Sequence, residues 1–93
     1  MRIDKELYTR IVDENRDTCL TIAMEECAEL IQAISKAKRG KLDRDNLIEE
    51  LADVMNVLDW IIYICDINYA EIKEMIEFKQ NRCISRFLKG EFK

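Results

Sequence analysis

Apolar residues recur at every third or fourth position through most of the chain, and this period is typical of amphipathic α-helices. The pattern predicts four helices, at about residues 5–14, 18–39, 45–65 and 69–89. The segments between them are short, which favours antiparallel packing of neighbouring helices. The sequence therefore predicts an all-α fold, a four-helix bundle of antiparallel helices.

Several residues at the ends of these runs support the predicted boundaries. Gly40 and Gly90 each follow a periodic run, and glycine is the usual left-handed residue just after a helix. Asp4 precedes the first run, and Asp43 or Asp45 precedes the third, as N-cap residues do. Before the fourth run, Asn68 and Glu71 have the spacing of a capping-box variant.

The third predicted helix places acidic residues in unfavourable positions. At about 100° per residue, Glu50 falls inside an apolar arc that includes Val54 and Ile61, and Asp53 lies at the edge of that arc. A carboxylate that points towards a core is costly unless it is paired, protonated or bound to a metal. The position of Glu50 therefore indicates a chemical role.

The second predicted helix has two flanks that a partner could cover. Its main core stripe is predicted to contain Leu20, Ala23, Met24, Cys27, Leu30, Ile31 and Ile34. A second flank of small and apolar residues carries Glu26, with Glu29 beside it, whereas Glu25 lies nearer solvent. The two flanks, and a chain too short to bury both, predict at least a homodimer, and a dimer of dimers is an alternative.

The acidic residues of these two helices are predicted to meet. Glu26 and Glu29 form one i,i+3 pair, and Glu50 and Asp53 form another, so each pair projects from one helix face. On facing antiparallel helices the two pairs would surround a common point. Hard oxygen ligands of this kind select Mg²⁺ or Mn²⁺, and without a cation they would repel one another.

Other polar and aromatic residues have two interpretations each. On the fourth predicted helix, Lys79, Arg82 and Arg86 continue an apolar stripe, and they are either phosphate ligands or surface residues that cover the core. Asn56 is either a polar neighbour of the acidic cluster or a solvated residue. Trp60 and Tyr63 are interpreted as packing or dimer-contact residues rather than as a base-stacking platform.

Composition narrows the choice of function. The chain has 93 residues, a net charge of −4, four cysteines without a CxxC pair, and no histidine. This composition argues against a nucleic-acid binder, a Cys/His zinc site and histidine-dependent nucleophiles. There is no apolar run of membrane-spanning length and no signal-peptide pattern. We therefore expect a single cytoplasmic domain, residues 1–93, with no nucleic-acid or membrane partner.

Two motifs resemble a known family. The string Glu25-Glu26-Cys27-Ala28-Glu29-Leu30, followed after 19 residues by Glu50-Leu51-Ala52-Asp53-Val54, resembles the EExxE and ExxD motifs of MazG-like all-α nucleoside triphosphate pyrophosphohydrolases. The resemblance covers about residues 17–89. A weaker match is the stretch Lys79-Gln80-Asn81-Arg82, which is similar to a lysine-to-arginine segment of that family.

The resemblance implies an activity and a set of roles. It implies Mg²⁺-dependent hydrolysis of a nucleoside triphosphate to the monophosphate and pyrophosphate, with the metal held by Glu26, Glu29, Glu50 and Asp53. It also implies assembly as dimers or dimers of dimers. From these roles, Glu29, or Glu25 as second choice, would activate water, and Lys79, Arg82 and Asn56 would contact the substrate.

Two alternatives remain open at this stage. A non-catalytic helical interaction module could use the same acids to pair with lysines of a partner, and it would bind no metal. A related activity, such as that of a phosphoribosyl-ATP pyrophosphohydrolase, would use the same fold on another substrate. A ferritin-like di-iron bundle is excluded because it needs Glu-x-x-His pairs.

Overall fold

The computed structural model describes residues 3–92, and these residues form four α-helices with no β-strand among them. The helices are α1 (Lys5–Glu14), α2 (Arg16–Lys38), α3 (Arg44–Ile64) and α4 (Tyr69–Leu88). Every predicted boundary agrees to within two residues, so the all-α prediction is confirmed. Within this range no helix combines the length and the hydropathy that a membrane span requires.

The predicted capping residues begin three of the helices. The side chains of Asp4, Asp43 and Asn68 each accept a hydrogen bond from a first-turn backbone N–H, at distances of 3.0, 3.1 and 2.9 Å. Each bond satisfies a backbone donor that has no partner within the helix. The cap of α3 is Asp43 rather than Asp45, which lies inside the first turn.

Three helices end with a residue in the left-handed region. Gly40 and Gly90, both at φ +74°, follow α2 and α4 as predicted. The same position after α3 is occupied by Asp66 at φ +54°, whose backbone N–H donates to the carbonyl of Tyr63 at 3.2 Å. Asp66 therefore takes a conformation that glycine adopts at lower cost.

The largest interface within the chain lies between α2 and α3, which form a helical hairpin. The apolar residues buried to 3% exposure or less are Val12, Cys19, Ala23, Ala33 and Val57. Three of these are small residues of α2, and small side chains allow two helices to approach closely. The hairpin interface is therefore narrow, and it is the surface from which the acidic residues project.

The predicted core stripe of α2 is only partly buried within one chain: Ala23 is 3% exposed, and Leu20, Cys27 and Leu30 are half-buried. Met24 and Ile31, which were assigned to that stripe, are 74% and 67% exposed, and Ile34 is also exposed. The most buried residues of α2 are small ones from both flanks, Ala23 of this stripe and Ala33 of the second flank, and small side chains permit a close approach between helices. The larger apolar side chains of α2 are consequently left on an open surface.

The first helix lies against both members of the hairpin and is fixed by two hydrogen bonds to α3. The indole nitrogen of Trp60 donates to the hydroxyl of Tyr8 at 2.8 Å, and the hydroxyl of Tyr63 donates to the carboxylate of Asp13 at 2.8 Å. These bonds join residues about fifty positions apart in the chain. They fix α1 against the C-terminal half of α3.

The fourth helix has no buried residue and does not pack closely on the other three. The radius of gyration is 16.7 Å, compared with about 12 Å for a compact domain of this length. Because α4 lies apart, the described residues of one chain do not form a closed four-helix bundle. Only α1, α2 and α3 contribute to the core that positions the acidic residues.

Candidate metal centre

The four motif carboxylates converge between α2 and α3. Each of Glu26, Glu29, Glu50 and Asp53 places a carboxylate oxygen within 4.8 Å of the others. On each helix the two acids are three residues apart and therefore share one face. The hairpin brings these faces together, as the sequence predicted.

Exposure differs across the cluster. Glu50 is buried, with 9% of its surface exposed, whereas Glu26 and Asp53 are half-buried and Glu29 is exposed. The cluster therefore has a closed end at Glu50 and an open end at Glu29. A ligand held by all four groups would meet solvent on the side of Glu29.

Two oxygens at the closed end lack partners. Oε2 of Glu26 and Oε2 of Glu50 are buried and accept no hydrogen bond. A buried carboxylate oxygen without a donor carries a desolvation cost that a bound cation would offset. The donor set consists only of oxygens, which are the ligands preferred by Mg²⁺ and Mn²⁺. The residues present therefore fit a hard divalent cation.

Basic side chains of residues 3–92 form no ion pair with this cluster. The ion pairs within residues 3–92 are Arg10 with Glu14 and Arg16 with Asp13, and both involve α1. No lysine or arginine of the described chain forms an ion pair with the four acids. The negative charge between α2 and α3 is therefore not compensated by ion pairs within the described residues.

The electrostatic cost appears in the pKa values of two of the acids. Burial, the charges of Glu29 and Asp53, and a hydrogen bond with Asp53 raise the pKa of Glu26 to about 7. Burial, together with the charge of Glu29 and a hydrogen bond with it, also raises the pKa of Glu50 above its ordinary value. Without a cation, these two groups hold protons at a higher pH than free glutamate does.

The remaining predicted residues do not join the cluster. Glu25 is exposed and lies outside the converging set, although it directly precedes Glu26. Asn56 is exposed on α3, one turn beyond Asp53. Lys79 and Arg82 line a separate groove of about 300 Å³ on α4 with Arg86 and Glu91, among other residues. Because α4 lies apart from the hairpin, one chain does not bring these cations to the acids.

A second group of polar and aromatic residues lies where α1 meets α3. From the sequence, Trp60 and Tyr63 were predicted to be packing or dimer-contact residues. The rings of Tyr8 and Trp60 are 6.3 Å apart and inclined at 52°. The guanidinium of Arg16 lies 5.7 Å from the centre of the Tyr63 ring. The hydrogen bond to Asp13 and burial raise the pKa of Tyr63. The sequence does contain one signal for this group: Asp53, Asn56, Trp60 and Tyr63 are spaced by three or four residues, which places them along one side of α3.

Metal sites of helical bundles are built from side chains on facing helices, and the four carboxylates between α2 and α3 have that arrangement. The model of the MazG nucleotide pyrophosphohydrolase domain matches residues 14–87 of this chain, which include all four clustered acids. The chain belongs to this family. Neither the comparison with curated proteins nor that with solved structures gave a match. The predicted resemblance is confirmed at the level of the family.

Proposed function

We propose that the protein is a Mg²⁺-dependent nucleoside triphosphate pyrophosphohydrolase that converts a (d)NTP to the (d)NMP and pyrophosphate. The observation that carries the proposal is the convergence of four carboxylates, two with buried unpaired oxygens, in a chain of this family. A nucleotide triphosphate is itself strongly anionic, so it would bind an acidic cluster only through cations. Family membership by itself supports nucleotide pyrophosphohydrolase activity. The identity of the metal and the bond that is cleaved are our proposal.

Glu26, Glu29, Glu50 and Asp53 would hold the metal, with Mn²⁺ as an alternative to Mg²⁺. When bound, a divalent cation supplies charge neutralisation of the triphosphate and polarisation of the attacked phosphorus. Glu50 and Glu26 form the closed end of the site, where burial fixes their side chains. This arrangement holds the carboxylates before substrate arrives, which lowers the reorganisation needed for catalysis.

The open end of the cluster suits Glu29 for proton transfer. It is exposed, so water reaches its carboxylate, and it remains close to the other three acids. We propose that Glu29 orients a water molecule and accepts a proton as the water oxygen forms a bond to phosphorus. The α–β bridging bond breaks and pyrophosphate leaves with the electron pair. Glu25, also exposed and one residue from Glu26, is the second choice for this role.

Contacts with the rest of the substrate are proposed for Asn56, Lys79 and Arg82. Asn56 lies one turn from Asp53 and offers an amide to the nucleotide. Lys79 and Arg82 carry charges that suit a leaving pyrophosphate. Since α4 does not pack on its own hairpin, we propose that these cations reach a site only after chains assemble.

We also propose that the chain is a single domain, residues 1–93, which associates at least as a homodimer and thereby completes an antiparallel bundle. Its exposed surface is 8186 Å², compared with about 5,700 Å² for a compact folded monomer of 11.1 kDa. The excess, about 2,500 Å² per chain, would amount to about 5,000 Å² in a dimer, which is within the range that obligate interfaces bury. Met24 and Ile31 of α2 and Met55 of α3 are among the exposed apolar residues.

The experiment that tests the reaction is a measurement of pyrophosphate release from all eight common NTPs and dNTPs, with and without Mg²⁺. The proposal expects release from at least one substrate, dependent on Mg²⁺, with the monophosphate as the second product. Release of orthophosphate, or no release from any of the eight with Mg²⁺ present, would contradict it.

A further inference from the structure

A groove of about 350 Å³ lies between α1 and α3, and no role has been assigned to it. Its apolar walls include Tyr8, Val12 and Trp60, and it also contains the hydroxyl of Thr9 and the carboxylate of Asp59. A largely apolar concavity with a few polar groups is typical of sites for small planar ligands. Its size suits one aromatic heterocycle better than a whole nucleotide.

The aromatic walls of this groove are held in place before any ligand arrives. The indole N–H of Trp60 donates to the hydroxyl of Tyr8 at 2.8 Å, and the Tyr63 hydroxyl donates to Asp13 at 2.8 Å. Each bond fixes a ring at its polar end. Rigid aromatic rings bind planar ligands at a low cost in conformational entropy.

The groove and the candidate metal centre are both built in part from α3. Asp53, Asn56 and Trp60 follow one another at spacings of three and four residues, so they share a helix face. At about 1.5 Å per residue, Trp60 lies roughly 10 Å from Asp53 along the helix axis. The exposed apolar residues Met55 and Leu58 lie on a different face of α3, so association through them would leave the groove open.

We propose that this groove binds the base of the nucleotide whose triphosphate lies at the acidic cluster. The inference rests on the proposed function, because it needs the phosphates at the cluster. The base stacks on the ring of Trp60, and Thr9 and Asp59 offer one hydroxyl and one carboxylate to its edge. Asn56, between the two ends, faces the sugar. Trp60 and Thr9 are therefore specificity-determining residues, whereas the four acids bind no part of the base.

The experiment uses Trp60 as its own probe, because it is the only tryptophan in the chain. Nucleoside monophosphates are titrated into the full-length protein and the tryptophan fluorescence is recorded, with inorganic tripolyphosphate plus Mg²⁺ as a ligand without a base. The inference expects saturable quenching by at least one monophosphate and none by tripolyphosphate. Quenching by tripolyphosphate as strong as that by nucleotides, or no quenching by any monophosphate, would overturn it.

Variants of groove residues test whether the groove itself binds the base. Tyr8→Ala should weaken monophosphate binding at least about tenfold, since one base–aromatic contact has an effect of that order. Thr9→Leu fills the groove without removing a core residue, and it should weaken binding by a similar factor. It therefore tests the groove even if Tyr8→Ala disturbs the position of α1. Tyr69→Ala, an exposed aromatic on α4, is the matched control and should leave binding unchanged. Equal affinity of the Thr9→Leu variant and the unaltered protein would count against the groove.

The outcome is distinguishable from failure of the proposed reaction. Base-dependent quenching without pyrophosphate release would remove the reaction and leave the groove as a nucleotide site. Mg²⁺-dependent release of pyrophosphate without base-dependent quenching would leave the reaction and remove the groove.

Discussion

Glu26 and Glu50 place carboxylate oxygens within 4.8 Å of each other across the α2–α3 interface, and each keeps one buried oxygen without a hydrogen-bond partner. This arrangement lowers the stability of the folded protein in the absence of a ligand, because both carboxylates lose solvation and repel each other when ionised. It also makes the cluster testable through protein stability, independently of any activity.

Addition of Mg²⁺ to the metal-free protein should raise its melting temperature. A metal that binds only the folded state at about 100 times its Kd adds roughly 2.7 kcal/mol. In a domain of this size that corresponds to a shift on the order of 10 °C. Differential scanning calorimetry measures the shift, which Glu50→Gln should abolish and Glu49→Gln should retain. An unchanged melting temperature across the titration would favour the non-catalytic interaction module.

The activity of neighbouring glutamate variants should differ sharply. Glu50→Ala removes a buried member of the cluster and should lower the rate of pyrophosphate release by about 10²-fold or more. Glu49 is exposed and lies outside the converging set of four acids, so Glu49→Ala should cost far less. Circular dichroism should show both variants folded and helical. Similar losses in the two variants would contradict the assignment of Glu50.

The stability of the metal-free protein should fall as the pH rises from about 4.5 to above 7. The pKa of Glu26 is about 7 in the folded chain and 4.5 ordinarily, so the folded state binds this proton more tightly than the unfolded state does. The favourable contribution is fully present below pH 4.5 and is lost as the pH passes 7, and Glu50 acts in the same direction.

Thermal unfolding in a chelator at pH 5 and pH 8 measures this pH dependence. Glu26→Gln should reduce it because the titrating group is removed, whereas Glu25→Gln, an exposed neighbour, should keep it. Saturating Mg²⁺ should oppose the trend, since metal and protons compete for the same oxygens. Greater stability at pH 8 than at pH 5 in the chelator would show that other groups dominate.

Assembly should depend on the apolar surface of α2. Ile31 is 67% exposed in one chain, so Ile31→Glu would be harmless in a monomer and disruptive at an interface. Light scattering should report at least a dimer for the unaltered protein and a smaller species for this variant. Gln32→Glu introduces the same charge at the adjacent exposed position and should change the mass little. A stable 11.1 kDa species for the unaltered protein at micromolar concentration would contradict the dimer.

Replacement of Asp66 should stabilise the end of α3. Asp66 has φ +54°, and glycine takes this left-handed conformation without the steric cost of a Cβ atom. Asp66→Gly should raise the free energy of unfolding by up to about 1 kcal/mol, measured by denaturant titration. Asp66→Ala keeps the Cβ atom and loses the polar side chain, so it should destabilise. A lower stability of Asp66→Gly than of Asp66→Ala would refute the explanation.

The local features of this fold were predictable from sequence because they depend on residues a few positions apart. The caps Asp4 and Asn68 act on backbone groups within the next turn, and Gly40 acts on the turn before it. The acidic cluster was also predictable, because two i,i+3 pairs and one short connection suffice to bring Glu26 and Glu50 together.

The remaining features depend on which helix faces pack against one another, and a helical period does not specify those contacts. The second helix has two apolar flanks, and the residues it buries come from both, Ala23 from one and Ala33 from the other. The placement of α1 rests on the bond between Trp60 and Tyr8, which are 52 residues apart. The charges of Lys79 and Arg82 are evident in the sequence, but the position of α4, which does not pack closely on the other three helices, is not.

The separation of α4 from the other three helices has a consequence for folding kinetics. Contacts between α2 and α3 are local, because one short connection joins them, and local contacts form fast. In the proposed dimer, α4 would gain its packing surface only from a second chain, and that encounter is second order in protein. Refolding should therefore show a fast phase whose rate is independent of concentration, followed by a phase that slows on dilution.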